Sequence, residues 1–96
     1  MTAYMIFEEN VTDPEGFQRY RNLGVATTIQ HFGGKILASG GIIEILEGDW
    51  HPNRLVILEF DSVEQAKRWY HSEEFAPLKD MRLKTANTQG VLVQGI

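Results

Sequence analysis

The chain has 96 residues, of which 43% are hydrophobic and 23% are charged, a composition typical of one globular domain and unlike that of a disordered segment. It contains no cysteine, which excludes disulfides and thiolate nucleophiles and fits a reducing compartment. Its net charge of −4 has the wrong sign for nucleic-acid binding, and no apolar run approaches the about 20 residues of a membrane span. We expect a single cytoplasmic domain over residues 1–96 whose partners include neither nucleic acid nor membrane.

The first elements in chain order are a strand and a long helix. Residues 3–8 are rich in aromatic and β-branched side chains, which are typical of a strand. Asp13 can accept hydrogen bonds from the free amides of a helix start, and Pro14 suits the first helical position. The helix is expected to run to about Phe32 and to end at Gly33-Gly34, where a left-handed residue can close its last turn.

The rest of the sequence predicts a hairpin, a second helix and a last strand. The second strand is expected over residues 35–47, with Gly40-Gly41 as a bulge or sharp bend. A long tip joins it to a third strand at residues 54–60. Ser62 and Gln65 fit a capping box that starts the second helix. A short further helix with Phe75, Leu78 and Met81 as its apolar stripe and a strand over residues 88–94 complete the chain.

This β-α-β-β-α-β order is the ferredoxin-like arrangement, an α+β fold. Right-handed crossovers place the two main helices on one face of a four-stranded antiparallel sheet, with the first and third strands in its centre. The opposite face of such a sheet is polar in a monomer, because half-solvated strands alternate apolar and polar residues.

The predicted strands are instead apolar on both sides. In the third strand Val56, Leu58 and Phe60 point to one side, while Leu55 and Ile57 point to the other. Burying five such side chains contributes on the order of 10 kcal/mol, which is comparable with the roughly 4–15 kcal/mol that association costs. We therefore expect a sheet-to-sheet homodimer. The alternative is that the short further helix or a chain terminus folds over this face.

Motifs spread over nearly the whole chain resemble one known family. They are Val11-Thr12-Asp13-Pro14-Glu15 with Tyr20, Phe32-Gly33-Gly34-Lys35, Gly40-Gly41, Glu44-Ile45-Leu46-Glu47-Gly48-Asp49-Trp50, Pro52, Arg54, Glu59-Phe60, Trp69-Tyr70, Ser72 and Val91-Leu92-Val93. The sequence is similar to the small bacterial domain-of-unknown-function family numbered thirteen-thirty, within the dimeric α/β barrel superfamily. The resemblance implies the ferredoxin-like fold and the dimer, and it implies no reaction. Similar sequences often carry an arginine in place of Ser39 and a tyrosine in place of Phe75.

Four residues are candidates for binding a ligand. Trp50 lies in a polar hairpin tip, where a large aromatic side chain needs either a dimer partner or a ligand pocket to cover it. Arg54 begins the third strand and is expected either to pair with Glu44 across the hairpin or to clamp a carboxylate ligand. At the end of the second helix, Tyr70 needs a partner for its hydroxyl if it is enclosed, and Ser72 is expected to cap the next helical segment.

Two carboxylates are the candidate proton-transfer groups, Glu59 and Glu44. Glu59 belongs to the open sheet face, beside Leu55 and Ile57. Enclosure in a dimer either pairs this carboxylate with a basic group or makes it a stronger base, which would suit a general base. A structural salt bridge is the alternative for Glu59.

One face of the first helix changes character along its length. Phe17, Tyr20, Gly24, Thr28 and His31 follow helical spacing and share this face. Its polar end indicates either a polar-lined cavity between helix and sheet or a helix end that emerges into solvent.

We expect a small-molecule site between sheet and helices that acts on a small carbonyl or carboxylate compound without a cofactor. Arg54 would hold an anionic group, Trp50 and Tyr70 would wall the pocket, and Glu44 or Glu59 would move a proton. No metal ion is expected, because the three histidines lie in separate elements and form no ligand motif. The alternative is a non-catalytic homodimeric module, metabolite-binding or structural, in which Trp50 and Arg54 serve the dimer.

Overall fold

A computed structural model describes residues 1–96 as a four-stranded antiparallel sheet with its helices on one face. The elements are β1 (Ala3–Val11), α1 (Pro14–Asn22), α2 (Val25–His31), β2 (Lys35–Ser39), β3 (Leu55–Phe60), α3 (Val63–Tyr70), α4 (Ala76–Thr85) and β4 (Ala86–Gln94). The strand order is β2-β3-β1-β4, with β1 and β3 in the centre as predicted. The predicted ferredoxin-like fold class is therefore confirmed. None of the helices has the length and apolar character that crossing a bilayer requires.

The single long helix predicted before the second strand is in fact two helices. Asp13 caps α1 as expected, since its Oδ1 accepts a hydrogen bond from the Gly16 amide at 3.1 Å. Gly24 separates α1 from α2 with a φ of +83°, a left-handed conformation that glycine adopts without strain. The prediction of one continuous helix was wrong, because the apolar spacing continues across this glycine and does not reveal its backbone angle.

The second strand is shorter than predicted. β2 ends at Ser39, because Gly40 and Gly41 adopt φ angles of +74° and +87° that leave the extended conformation. The bulge lies earlier, at the register shift between Ile36 and Ala38. Residues 41–53 take no part in backbone–backbone hydrogen bonding and form an irregular segment between β2 and β3.

The two faces of the sheet differ in what covers them. Met5, Phe7, Leu58 and Phe60 face the helices and are buried with Trp69 of α3. On the open face lie the apolar side chains of Tyr4, Ile6, Leu55, Ile57, Val91 and Val93, which are half-buried or exposed.

No helix or strand of the chain covers the open face, against which only Trp50 of the irregular segment 41–53 lies. Leu78 of α4 belongs to the core on the helix side, and α4 packs against α1 and β4. Met1 and Ile96 at the chain ends are exposed. The alternative in which the further helix or a terminus folds over the open face is therefore excluded within this chain.

Candidate functional site

A cavity of about 250 Å³ lies between the sheet and the first two helices. Most of its wall is apolar and includes Phe17 of α1, Val25 and Ile29 of α2, and Phe7 and Val56 of the sheet. Its polar lining consists of Glu9, Tyr20, Arg21, Ser39, Arg54 and Arg82. The cavity thus combines an apolar interior with several hydrogen-bonding groups.

The first polar group of the cavity is an ion pair between two strands. Arg54 donates from Nε to Glu9 Oε1 at 2.9 Å and from Nη2 to Ser39 Oγ at 3.0 Å. Glu9 is 3% exposed, and the Arg54 guanidinium lies 5.7 Å from the ring centroid of Phe17. The alternative in which Arg54 pairs with Glu44 is wrong, because Glu9 takes that place. The carboxylate and the guanidinium neutralise each other, as buried charges generally must.

The second polar group is the phenol of Tyr20 on α1. Tyr20 is 6% exposed, and its burial raises its pKa to about 12, because the phenolate would lose its hydration. The nearby charges of Arg82 and Arg54 oppose this rise in the pKa, and that of Glu9 adds to it. All three groups line the same cavity as Tyr20. At neutral pH the hydroxyl is protonated, as in any tyrosine, and can donate a hydrogen bond.

The third polar group is the guanidinium of Arg82, which enters from α4. Arg82 is 3% exposed, and its Nε has no hydrogen-bond partner. Arg54 forms an ion pair with Glu9, and His31 contacts Glu74, whereas Arg82 takes part in neither contact. Its Cζ lies 4.6 Å from the ring centroid of Phe7. Arg82 is thus a buried cation whose charge no carboxylate of the chain neutralises.

The structure brings only one of the four predicted binding residues to this cavity. That residue is Arg54, whereas Trp50 lies on the other side of the sheet and is 59% exposed. The Trp50 Nε1 donates to Glu8 Oε2 at 3.2 Å, beside Leu55 and Val91 of the open face. Trp50 and Arg54 therefore do not share a pocket.

The other two predicted binding residues lie near the end of α3. Tyr70 stacks on Phe7 with ring centroids 6.4 Å apart and lines a second depression between α3 and β4. Ser72 Oγ accepts a hydrogen bond from the Phe75 amide at 3.1 Å in the turn before α4. The expected capping of the helix itself by Ser72 is wrong, because the N-cap residue of α4 is Phe75 and no side chain caps it.

The two predicted proton-transfer residues lie outside the cavity. Glu44 is exposed in the irregular segment 41–53. Glu59 is half-buried on the open face, opposite Tyr4 of β1 and Lys35 of β2. Of the carboxylates in the chain, Glu9 alone lines the cavity.

The two polar residues at the end of the predicted helix face lie in different environments, and neither of them lines the cavity. Thr28 is buried, and its Oγ1 accepts a hydrogen bond from Trp69 Nε1 at 3.0 Å. His31 has emerged into solvent, where its Nδ1 lies 2.9 Å from Glu74 Oε1. The cavity is therefore bordered by the earlier residues of this face, Phe17, Tyr20 and Gly24, and α2 ends at the surface.

Sequence reasoning missed Glu9 and Arg82, although weak signals exist for both. Glu9 shares the alternation of Met5 and Phe7 in β1, which places its carboxylate on the helix side of the sheet. Arg82 follows Leu78 by four residues in α4 and so lies on the apolar stripe of that helix. A charged residue at such a position is more often solvated, so its burial is not evident from the sequence.

Solved structures similar to the chain share its fold. The RPA0582 protein of unknown function from Rhodopseudomonas palustris is 15% identical with a TM-score of 0.73, and the match covers 99% of this chain and 82% of that protein. SnoaB, a cofactor-independent oxygenase from Streptomyces nogalater, is 14% identical with a TM-score of 0.64, and the match covers 99% of this chain and 93% of SnoaB. An ethyl tert-butyl ether D (EthD) family protein from Bacillus halodurans is 13% identical with a TM-score of 0.63, and the match covers 100% of this chain and 99% of that protein.

Comparison of the amino-acid sequence with known proteins identifies the family of the chain. No curated protein is significantly similar in sequence to the chain. One family matches over residues 2–96, nearly the full length. The chain belongs to the family described as Domain of unknown function (DUF1330).

Proposed function

We propose that the chain binds a small carbonyl or carboxylate compound in the cavity between the sheet and the first two helices, and converts it without a bound cofactor. The observation that carries this proposal is the apolar cavity of about 250 Å³ with Glu9, Tyr20, Arg54 and Arg82 in its wall. Ligand sites are typically apolar spaces into which a few polar groups converge. SnoaB, which shares the fold, is described as a cofactor-independent oxygenase, and this supports a reaction without a resident cofactor.

The positions of the three glutamates decide which of them a ligand in the cavity would contact. Glu9 is the carboxylate that a bound molecule would meet, whereas Glu44 and Glu59 lie beyond the reach of a ligand in the cavity. A proton-transfer role for Glu59 requires a second site on the open face, closed by another copy of the chain. Such a role for Glu44 requires the irregular segment 41–53 to contribute to that second site.

Filling the cavity tests the proposal. Ala26 of α2 lines the cavity, so Ala26→Trp places an indole in the space that a ligand would occupy. Gln30→Trp adds the same side chain at an exposed position of the same helix and serves as the matched control. Carboxylates, quinones and haem are screened by thermal shift against the wild type and both variants.

The screen tests whether the cavity binds a ligand. At least one carbonyl or carboxylate compound is expected to raise the melting temperature of the wild type and of Gln30→Trp, but not that of Ala26→Trp. A compound that stabilises Ala26→Trp as strongly as the wild type would contradict binding in the cavity. A screen without any stabilising compound would favour a non-catalytic module.

The second candidate function is that of a homodimeric module, and the open sheet face favours it. Val91 and Val93 are 60% and 47% exposed there, next to half-buried Ile6, Leu55 and Ile57. A contiguous apolar face of this kind marks an interaction surface. We propose that two copies of the chain pack against each other through it, with Trp50 at the rim of the interface.

Sedimentation velocity at micromolar concentration tests the dimer. Val91→Lys introduces a charge into the open face, and Leu23→Lys introduces it at an exposed apolar residue after α1, outside the sheet. The wild type and Leu23→Lys are expected to sediment with the mass of two chains, and Val91→Lys with the mass of one. Sedimentation of the wild type as a single chain would contradict the proposed interface.

A further inference from the structure

We infer that the ligand of the cavity is a monoanion and that Arg82 binds its charge; this inference rests on the proposed function of the cavity. It assigns a specific role to a residue of α4 that lies far along the chain from the other lining residues. It also narrows the ligand class from carbonyl or carboxylate compounds to carboxylates and other oxygen monoanions.

The charges around the cavity leave one buried cation without a partner, since Arg21, the other unpaired cation of the lining, is exposed to solvent. Glu9 and Arg54 neutralise each other through a contact of 2.9 Å. Arg82 remains, 3% exposed, with no ion pair and with its Nε unbonded. A guanidinium does not lose its proton in proteins, so Arg82 cannot relieve its burial by becoming neutral. An anion that enters the cavity supplies the missing counter-charge.

The surroundings of Arg82 suit recognition rather than simple packing. The Phe7 ring lies over the guanidinium, with 4.6 Å between Cζ and the ring centroid, and the Phe75 ring centroid lies at 5.9 Å. Aromatic rings interact with the faces of a guanidinium and leave its N–H edges available. Those edges match the two oxygens of a carboxylate, which Arg binds in a bidentate manner.

The other groups of the cavity wall define the class of anion further. The hydroxyl of Tyr20, which lines the same cavity and is neutral at physiological pH as in any tyrosine, offers an additional donor. Arg82 is the one buried cation of the lining without a partner, so a second negative charge would meet no buried counter-charge, and a carboxylate fits better than a phosphate dianion. The apolar side chains of Phe17, Ile29 and Val56 would contact an alkyl or aryl body.

Arg82 also borders the second depression, which Lys67, Tyr70 and His71 line on the other side of Phe7. We assign the anion to the first cavity because Tyr20 and the apolar walls of the helices and sheet surround that space. The experiment distinguishes the two locations, since Ala26→Trp fills only the first cavity.

Isothermal titration calorimetry with three probes that share a naphthyl group and differ in charge tests the inference. The probes are 2-naphthoate as the monoanion, 2-naphthamide as its neutral counterpart and 2-naphthyl phosphate as the dianion. The wild type is expected to bind the naphthoate at least about tenfold more tightly than the naphthamide, as expected for hydrogen bonds to a charged group. Binding of the phosphate is expected to be weaker than that of the naphthoate.

Variants at arginine positions assign the preference to one residue. Arg82→Met is expected to abolish the preference for the naphthoate, and the exposed control Arg19→Met to retain it. Without ligand, Arg82→Met is expected to melt at the same or a higher temperature than the wild type, because it removes an unpaired buried charge. A purely structural Arg82 would instead lower the melting temperature while leaving the naphthoate preference intact.

The outcomes separate this inference from the proposed function. Equal binding of naphthoate and naphthamide, with both lost in Ala26→Trp, would overturn the monoanion inference and leave the cavity as the ligand site. Naphthoate binding that survives Ala26→Trp would place the ligand elsewhere and contradict the proposed function itself. Absence of naphthoate binding to the wild type at millimolar concentration would also overturn the inference.

Discussion

Glu9 and Arg54 are joined twice across the boundary between β1 and β3. The Glu9 amide donates to the Arg54 carbonyl at 2.9 Å, and Arg54 Nε donates to Glu9 Oε1 at the same distance. The backbone contact fixes the register of the two central strands, and the side-chain contact places a neutral ion pair in the wall of the cavity. The same two residues therefore align β1 with β3 and form part of the cavity wall.

Replacing Glu9 alone is expected to destabilise the protein more than replacing both Glu9 and Arg54. Glu9→Leu removes the carboxylate that pairs with the Arg54 guanidinium. The Arg54 side chain is only 19% exposed, so its charge stays largely buried. The expected loss in the free energy of unfolding is about 3 kcal/mol, because an uncompensated buried charge remains. Chemical denaturation with urea measures the change.

The double variant Glu9→Leu/Arg54→Met is the control for this interpretation. It removes both charges, so it is expected to recover part of the stability lost in Glu9→Leu alone. Strictly additive losses for Glu9→Leu and Arg54→Met would mean that the two side chains do not interact.

Thr28 is expected to matter for stability and not for ligand binding. Its hydroxyl accepts the hydrogen bond of Trp69 Nε1, and Trp69 is 1% exposed. Thr28→Val leaves that buried N–H without an acceptor, at a cost of about 1–3 kcal/mol in the free energy of unfolding. Thr28→Ser retains the hydroxyl and is expected to restore most of the loss.

Thermal denaturation and the calorimetric titration of naphthoate separate these two properties. Thr28 does not line the cavity, so naphthoate affinity is expected to stay unchanged in Thr28→Val. A large loss of affinity with unchanged stability would contradict the structural role assigned to this hydroxyl.

The fold could be predicted from the sequence because its signals are local. The alternation of Val56, Leu58 and Phe60 and the caps at Asp13 and Ser62 each act within a few residues. The break at Gly24 could not be predicted, since a glycine in a helical pattern is compatible with either sign of φ.

The candidate site was less predictable because it is assembled from distant segments. Arg54 was found from its position at a strand start, but its partner Glu9 lies 45 residues earlier in the chain. The predicted first strand ended one residue before Glu9, so the carboxylate was not assigned to a face. The lack of a partner for Arg82 is a property of the packed core, which no spacing of residues reveals.

Gly90 is expected to control the position of the Phe7 ring in the cavity wall. A Cβ at residue 90 would lie 2.6 Å from Phe7 Cδ1, well inside van der Waals contact. Gly90→Ala therefore forces the ring to move, and overpacking of this kind costs about 1–3 kcal/mol in stability. The exposed neighbour substitution Gln89→Ala is expected to change stability by less than about 0.5 kcal/mol.

Combination with a smaller residue at position 7 tests whether the clash is the cause. The losses of Gly90→Ala and Phe7→Leu are expected to be less than additive in urea denaturation, because the smaller side chain makes room for the new methyl group. Additive losses would indicate that Gly90→Ala acts through the strand backbone instead.

Tyr20 is expected to make the protein less stable at alkaline pH. Its pKa is raised from 10.0 to about 12 in the folded state, mainly because burial disfavours the phenolate. Between these two values the unfolded chain releases the phenol proton while the folded chain retains it. The stabilisation by the neutral phenol is therefore complete below about pH 10 and declines as the pH rises to about 12. The total change amounts to roughly 2–3 kcal/mol.

Urea denaturation at intervals from pH 9 to pH 12 compares the wild type with Tyr20→Phe. The variant has no phenol to ionise, so its free energy of unfolding is expected to fall less steeply over this range than that of the wild type. Parallel pH profiles for the two proteins would show that the Tyr20 pKa does not differ between the folded and unfolded states. That outcome would contradict the prediction that burial of the Tyr20 phenol disfavours its ionisation in the folded protein.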